Sequence, residues 1–86
     1  MSREAVAWGV LGVTRLYHVI VEGSVVSKSG AGEYALAHLP QWRGIVTEAL
    51  QARKGGARSE YRNPFVRRRE MIDYMNYIID ECNKAS

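Results

Sequence analysis

The chain has 86 residues, of which 47% are hydrophobic and 24% charged, a composition that suits one small globular domain and excludes a disordered chain. A formal net charge of +3, carried by nine arginines and three lysines against nine acidic residues, permits an anionic ligand such as a nucleotide phosphate without requiring nucleic acid. The lone Cys82 and the absence of a leader or of an apolar run of about 18–20 residues predict a soluble, cytoplasmic protein without a membrane partner.

Residues 4–22 are predicted to form the first helix, which Gly23 ends. Its apolar face is wide, and a helix of this kind is expected to be central and covered on several sides. That face consists of Val6, Val10, Val13, Leu16, Tyr17, Ile20 and Val21. The opposite strip of the helix consists of Trp8, Leu11, Arg15, His18 and Glu22.

A connector over residues 23–29 leads to the second predicted helix. Ser29 is a good N-cap residue, so this helix is expected to begin near Ser29 or Gly30. It is expected to end at about His38, because the residue before a proline, here Leu39 before Pro40, avoids the helical region.

The third helix is predicted to run from about Pro40 to Lys54, and residues 55–63 read as a polar loop. The pair Asn63-Pro64, an N-cap residue followed by proline, predicts the start of a fourth helix that runs to about Cys82. The buried seam of the third helix is predicted to consist of Trp42, Ile45, Val46, Ala49 and Leu50. That of the fourth is predicted to consist of Met71, Ile72, Met75, Ile78, Ile79 and Cys82.

Four helices with short connections predict an all-α fold, a small four-helix bundle that forms a single domain over residues 1–86. Arg69 and Asp73 of the fourth helix are spaced for an ion pair across one helical turn.

Lys28 and Arg15 are the first candidates for a ligand site. A lysine just before a helix N-terminus lies at the positive end of the macrodipole, and a bound phosphate would relieve this conflict. The glycines at positions 30 and 32 would let a ligand approach the backbone. The alternatives stay open: Lys28 is a solvated loop residue, and Arg15 is a rim residue paired with Glu22.

Arg53 and Arg68 fall at the ends of the apolar seams of the third and fourth helices. Such cations either reach out to water or converge on an anion. The basic run Arg67-Arg68-Arg69 is more typical of a solvated face than of a site.

The sequence predicts no metal site and no catalytic centre. His18 and His38 lack further ligands at metal-binding spacing, and Cys82 lies on a predicted core stripe. No nucleophile–base arrangement, phosphate-binding loop or paired acidic motif is present in these 86 residues.

Three segments follow one another at a characteristic spacing: Gly12-Val13-Thr14-Arg15-Leu16-Tyr17, Gly23-Ser24-Val25-Val26-Ser27-Lys28, and Gly32-Glu33-Tyr34-Ala35-Leu36-Ala37-His38-Leu39-Pro40. Their order resembles the C-terminal helical domain of the streptomycin/spectinomycin adenylyltransferases, a family of antibiotic-resistance enzymes. The later run Tyr61-Arg62-Asn63-Pro64 with Arg67-Arg68-Arg69-Glu70 resembles extended relatives of that domain.

The resemblance implies a nucleotidyltransferase domain with magnesium-binding carboxylates, which would form a cleft for ATP and aminoglycoside together with the helical domain. It implies that Arg15 and Lys28 contact the ATP phosphates. A family tyrosine near the phosphates falls at Arg53 if one residue is deleted after Pro40. The catalytic domain is absent from these 86 residues, and the positions of the acids that hold the drug are Met1 and Ala5.

The resulting expectation is a non-catalytic, ATP-contacting domain that binds no cofactor alone and acts with a nucleotidyltransferase domain in cis or in trans. ATP and magnesium are implied for the complete enzyme. The alternative is a homodimerisation module without a ligand, docked through the strip that contains Trp8 and Leu11. A small helical ribonuclease is a third reading, but Arg15 and His18 are too close in sequence for its usual motif.

Overall fold

A computed structural model describes residues 3–55 and 63–85 and shows an all-helical fold there, as predicted. The elements are α1 (Arg3–Glu22), α2 (Lys28–His38), a 3-10 turn (Pro40–Trp42), α3 (Arg43–Arg53) and α4 (Pro64–Ala85). The polar loop expected over 55–63 lies mostly outside the described residues.

The ends of α1 and α4 follow the sequence signals. Gly23 ends α1 with a positive φ of 75°, a conformation that favours glycine, and its N–H donates to the carbonyl of Val19 at 2.9 Å. Asn63 caps α4, since its side-chain oxygen accepts from the N–H of Phe65 at 2.8 Å. The α4 helix continues past Cys82 to Ala85.

The start of α2 differs from the prediction. The N-cap is Ser27 and not Ser29, because the Ser27 hydroxyl accepts from the N–H of Gly30 at 2.9 Å. Lys28 is therefore the first residue of α2 instead of lying in the connector before it. Both serines suit an N-cap, and the sequence pattern alone did not distinguish them.

The core surrounds α1, which packs against α2, α3 and α4. Leu11, expected on the outer strip of α1, is fully buried, whereas Leu16 of the predicted apolar face is 55% exposed. On α4, Ile72 and Ile79 are exposed although they were expected in the core. The buried cluster consists of Val6, Ala7, Val10, Leu11, Ala35, Leu39, Ile45, Val46, Ala49, Leu50, Met71, Tyr74, Ile78 and Cys82.

By length and composition alone α1 could cross a membrane, whereas the sequence analysis predicted no membrane-spanning segment. A helix that lies in the middle of a protein core can have the same length and apolar composition. In this fold Val6, Val10 and Leu11 of α1 have no exposed surface.

Two buried polar arrangements join the helices. The Thr14 hydroxyl donates to the Val10 carbonyl at 2.6 Å and lies 2.5 Å from the Tyr74 hydroxyl, which links α1 to α4. The Glu48 carboxylate of α3 is fully buried and lies 3.7 Å from Arg3 and 3.3 Å from Arg67. A buried carboxylate requires such partners, and here they come from the first turns of α1 and α4.

Candidate functional site

The connector between α1 and α2 is attached to α1 by two side chains. Arg15 is half-buried, and its Nε donates to the carbonyl of Val26 at 3.0 Å. His18 Nδ1 lies 2.8 Å from the carbonyl oxygen of Ser24. These contacts hold the segment that leads directly into Lys28.

The ion pair considered between Arg15 and Glu22 is not formed in the described part of the chain. Glu22 instead accepts a hydrogen bond from the Tyr34 hydroxyl, with 2.7 Å between the oxygens. Arg15 thus bonds to backbone and Glu22 bonds to α2, so the two side chains have separate structural roles.

Lys28 packs over an aromatic ring. Its ammonium nitrogen lies 4.0 Å from the centroid of the Trp8 ring, a distance at which a cation is attracted to the negative face of the indole. Trp8 is 73% exposed, so the ring has much of its surface open beside the lysine. The first turn of α2 adds the partial positive charge of a helix N-terminus at the same place.

A cavity of about 260 Å³ lies where α1, α2 and α3 come together, and its wall includes Lys28 and Arg53. Lys28 is the first residue of α2 and Arg53 is the last of α3, so two predicted site residues that are distant in sequence line one cavity. Arg15 does not line it. The lining residues are Glu4, Ala7, Trp8, Lys28, Ala52 and Arg53.

The charges of this cavity favour a small anion between its two cations. Lys28 and Arg53 are positive, whereas Glu4 is the one acidic side chain among the described residues of its lining. A guanidinium group and an ammonium group can both donate charge-assisted hydrogen bonds to phosphate oxygens. The Trp8 ring provides an apolar surface against which a flat group can stack.

Gly30 and Gly32 do not leave room for a ligand, contrary to expectation. A Cβ atom on Gly30 would lie 2.5 Å from a methyl group of Val26, and one on Gly32 would lie 2.5 Å from a methyl group of Leu50. The missing side chains allow the connector and α3 to pack closely against α2.

The aromatic cluster on the α1–α2 face holds both histidines. The ring of Tyr34 lies 4.7 Å from that of His18, 4.2 Å from that of His38 and 6.4 Å from that of Tyr17, measured between centroids. Burial is the larger cause that raises the pKa of Tyr34 to about 12, and the hydrogen bond to Glu22 is the next.

Within residues 3–55 and 63–85 no cluster of three or more histidine, cysteine or acidic residues could hold a metal ion.

The basic run on α4 divides between two places. Arg67 reaches the buried Glu48, whereas Arg68 and Arg69 line a separate surface groove with Phe65, Ile72 and Asp73. Arg68 therefore does not converge with Lys28 and Arg53 on one site.

Trp8 and Glu4 line the cavity, although the sequence analysis did not predict them as ligand candidates. They lie one turn apart on α1, and both line the wall of the cavity. A tryptophan among the polar residues of an otherwise apolar helix is a signal that could have singled out Trp8.

Comparison with known proteins identifies the family. The model of the aminoglycoside adenylyltransferase C-terminal domain matches residues 3–80, which is most of the chain. No curated protein matches this chain, and neither does any solved structure. The chain therefore belongs to the family of the aminoglycoside adenylyltransferase C-terminal domain.

Proposed function

We propose that this domain supplies one wall of a nucleotide cleft and contacts the phosphates of ATP without catalysing a reaction by itself. The observation that carries the proposal is that Lys28 and Arg53 both line one cavity beside the N-terminus of α2. Two cations and a helix N-terminus together attract phosphate more strongly than any one of them.

Arg15 has a positioning role in this proposal. Its hydrogen bond to Val26 holds the backbone two residues before Lys28, so it helps to keep the lysine over Trp8. A direct contact between Arg15 and a phosphate stays a prediction from the family resemblance.

The catalytic groups would come from a nucleotidyltransferase domain, present in cis or in trans. That domain would hold magnesium and activate the acceptor hydroxyl, while Lys28 and Arg53 would offset the negative charge of the triphosphate. A role in aminoglycoside resistance follows if the acceptor is an aminoglycoside, as the family description suggests.

Calorimetric titration of magnesium–ATP into the chain, alone and with a candidate nucleotidyltransferase domain, tests this function. Removing one cation from a charge-assisted contact is expected to weaken binding by about tenfold or more. Lys28→Ala and Arg53→Ala should each show this loss. Arg43→Ala is the matched control, because Arg43 is an exposed cation at the opposite end of α3.

Binding that is unchanged in both cavity variants would contradict the proposal. So would a complete lack of binding by the chain alone and by the mixture. Circular dichroism of each variant establishes that the helices are intact before the affinities are compared.

A further inference from the structure

The outer face of α4 carries three exposed apolar side chains at intervals of seven residues. Phe65 is 78% exposed, Ile72 is 42% exposed and Ile79 is 47% exposed. A seven-residue repeat places successive side chains along one line of a helix, and such a line is one of the two rows of a coiled-coil seam; we call it the α4 seam. This seam is distinct from the buried face of α4, which contains Met71, Tyr74, Ile78 and Cys82.

A groove of about 270 Å³ lies at the start of this seam. Phe65, Arg68, Arg69 and Ile72 line it, with Asp73 at its edge. The first four residues have the spacing i, i+3, i+4 and i+7, which is the set that surrounds one inserted side chain in knobs-into-holes packing. The groove therefore has the arrangement of side chains that surrounds an inserted side chain in such packing.

We infer that the α4 seam is a homodimer interface, in which α4 of a second copy of this chain lies antiparallel to it. Ile79 of the second copy fills the groove between Phe65 and Ile72. Ile72 of the second copy then enters the next set of four, formed by Ile72, Met75, Asn76 and Ile79. Two-fold symmetry repeats both insertions, so four isoleucine side chains, Ile72 and Ile79 of each copy, are inserted.

The charges along α4 suit the antiparallel orientation. Arg68 and Arg69 lie near its first turns and Asp80 lies near its end, so an antiparallel second copy brings its Asp80 beside Arg69. The ion pair predicted within the helix between Arg69 and Asp73 is not formed in the described residues. The macrodipoles of the two α4 helices also oppose each other in this arrangement.

The area of the seam predicts a weak dimer. One pair of 22-residue helices in contact along one line buries less than the roughly 800 Å² per partner of a standard stable interface. The aliphatic stems of Arg68 and Arg69 add apolar contact around the inserted isoleucine. Association should therefore depend on protein concentration. The inferred interface is independent of the proposed nucleotide function, since none of the seam residues lines the cavity that contains Lys28 and Arg53.

Sedimentation equilibrium from micromolar to near-millimolar concentration tests the interface. The chain is expected to pass from monomer to dimer, and Ile72→Glu is expected to weaken association by about tenfold or more. Val25→Glu is the matched control, because Val25 is also a β-branched apolar residue. It is 77% exposed and lies in the connector, not on α4. A helical circular dichroism spectrum for each variant excludes loss of fold as the cause.

Charge reversal tests the orientation. Arg69→Glu and Asp80→Arg should each weaken the dimer, and the double variant should restore it, because the pair re-forms with opposite signs across the interface. A chain that stays monomeric at every concentration overturns the inference. So does a dimer that is insensitive to Ile72→Glu, or one that the double charge reversal does not restore.

Discussion

The hydroxyl groups of Thr14 and Tyr74 lie 2.5 Å apart in the centre of the core, and neither residue has exposed surface. Thr14 donates to the carbonyl of Val10, so its oxygen accepts the proton of Tyr74. This contact joins the central helix to the last helix at a point where water cannot replace a lost hydrogen bond.

Thr14→Val should destabilise the domain by about 1–3 kcal/mol, because it leaves a buried tyrosine hydroxyl without an acceptor. Tyr74→Phe should cost less, about 0.5–1.5 kcal/mol, because Thr14 keeps its bond to Val10. Urea denaturation of both single variants and the double variant gives the coupling energy. Equal effects of the two single substitutions, with no coupling between them, would contradict this assignment.

Burial of the Tyr74 hydroxyl also makes stability sensitive to high pH. Burial raises the pKa of Tyr74 from 10.0 to about 12. Because the folded protein has the higher pKa, this stabilisation is complete below pH 10 and is lost as the pH rises toward 12. Unfolding curves across this range should show the loss, and Tyr74→Phe should reduce it; an unchanged pH profile in that variant would argue against Tyr74 as its source.

Glu48→Ala should destabilise the domain by about 3–5 kcal/mol, because it leaves Arg3 and Arg67 packed around an absent carboxylate. The matched control is Glu33→Ala at an exposed position on α2, which should change stability by less than about 0.5 kcal/mol. Thermal or urea unfolding measures both. Similar values for the two variants would show that the buried carboxylate does not stabilise the contact of α3 with α1 and α4.

Two glycine substitutions should have opposite signs. Gly32→Ala places a methyl group 2.5 Å from a Leu50 methyl group and should destabilise by about 1–3 kcal/mol. Gly12→Ala meets no atom within 4 Å and should stabilise α1 by about 0.5–1 kcal/mol through its higher helix propensity. The midpoints of urea unfolding decide the sign in each case. A Gly32→Ala variant that is more stable than the unchanged chain would contradict the close packing of α2 against α3.

Periodicity and capping residues predicted the helices well, because both are local properties of the chain. Asn63-Pro64 and Gly23 marked helix ends by their own backbone preferences. The cap at Ser27 depends on contacts within a few residues, the bond to Gly30 and the packing of Gly30 against Val26. Both serines suit a cap, so residue type alone did not distinguish Ser27 from Ser29. The side of a helix that becomes buried is not a local property, so Leu11 and Leu16 were assigned to the wrong sides of α1.

By itself the sequence determined the all-α class, the number of helices and the membership of the family, because these depend on residue types at fixed spacings. Only the tertiary structure decided that Lys28 and Arg53 share a cavity with Trp8, and that Arg67 turns inward while Arg69 stays outside. The reason is physical: a side chain's neighbours depend on how whole helices pack across the core. That packing sets which cations meet, whereas the spacing of residues along one helix does not.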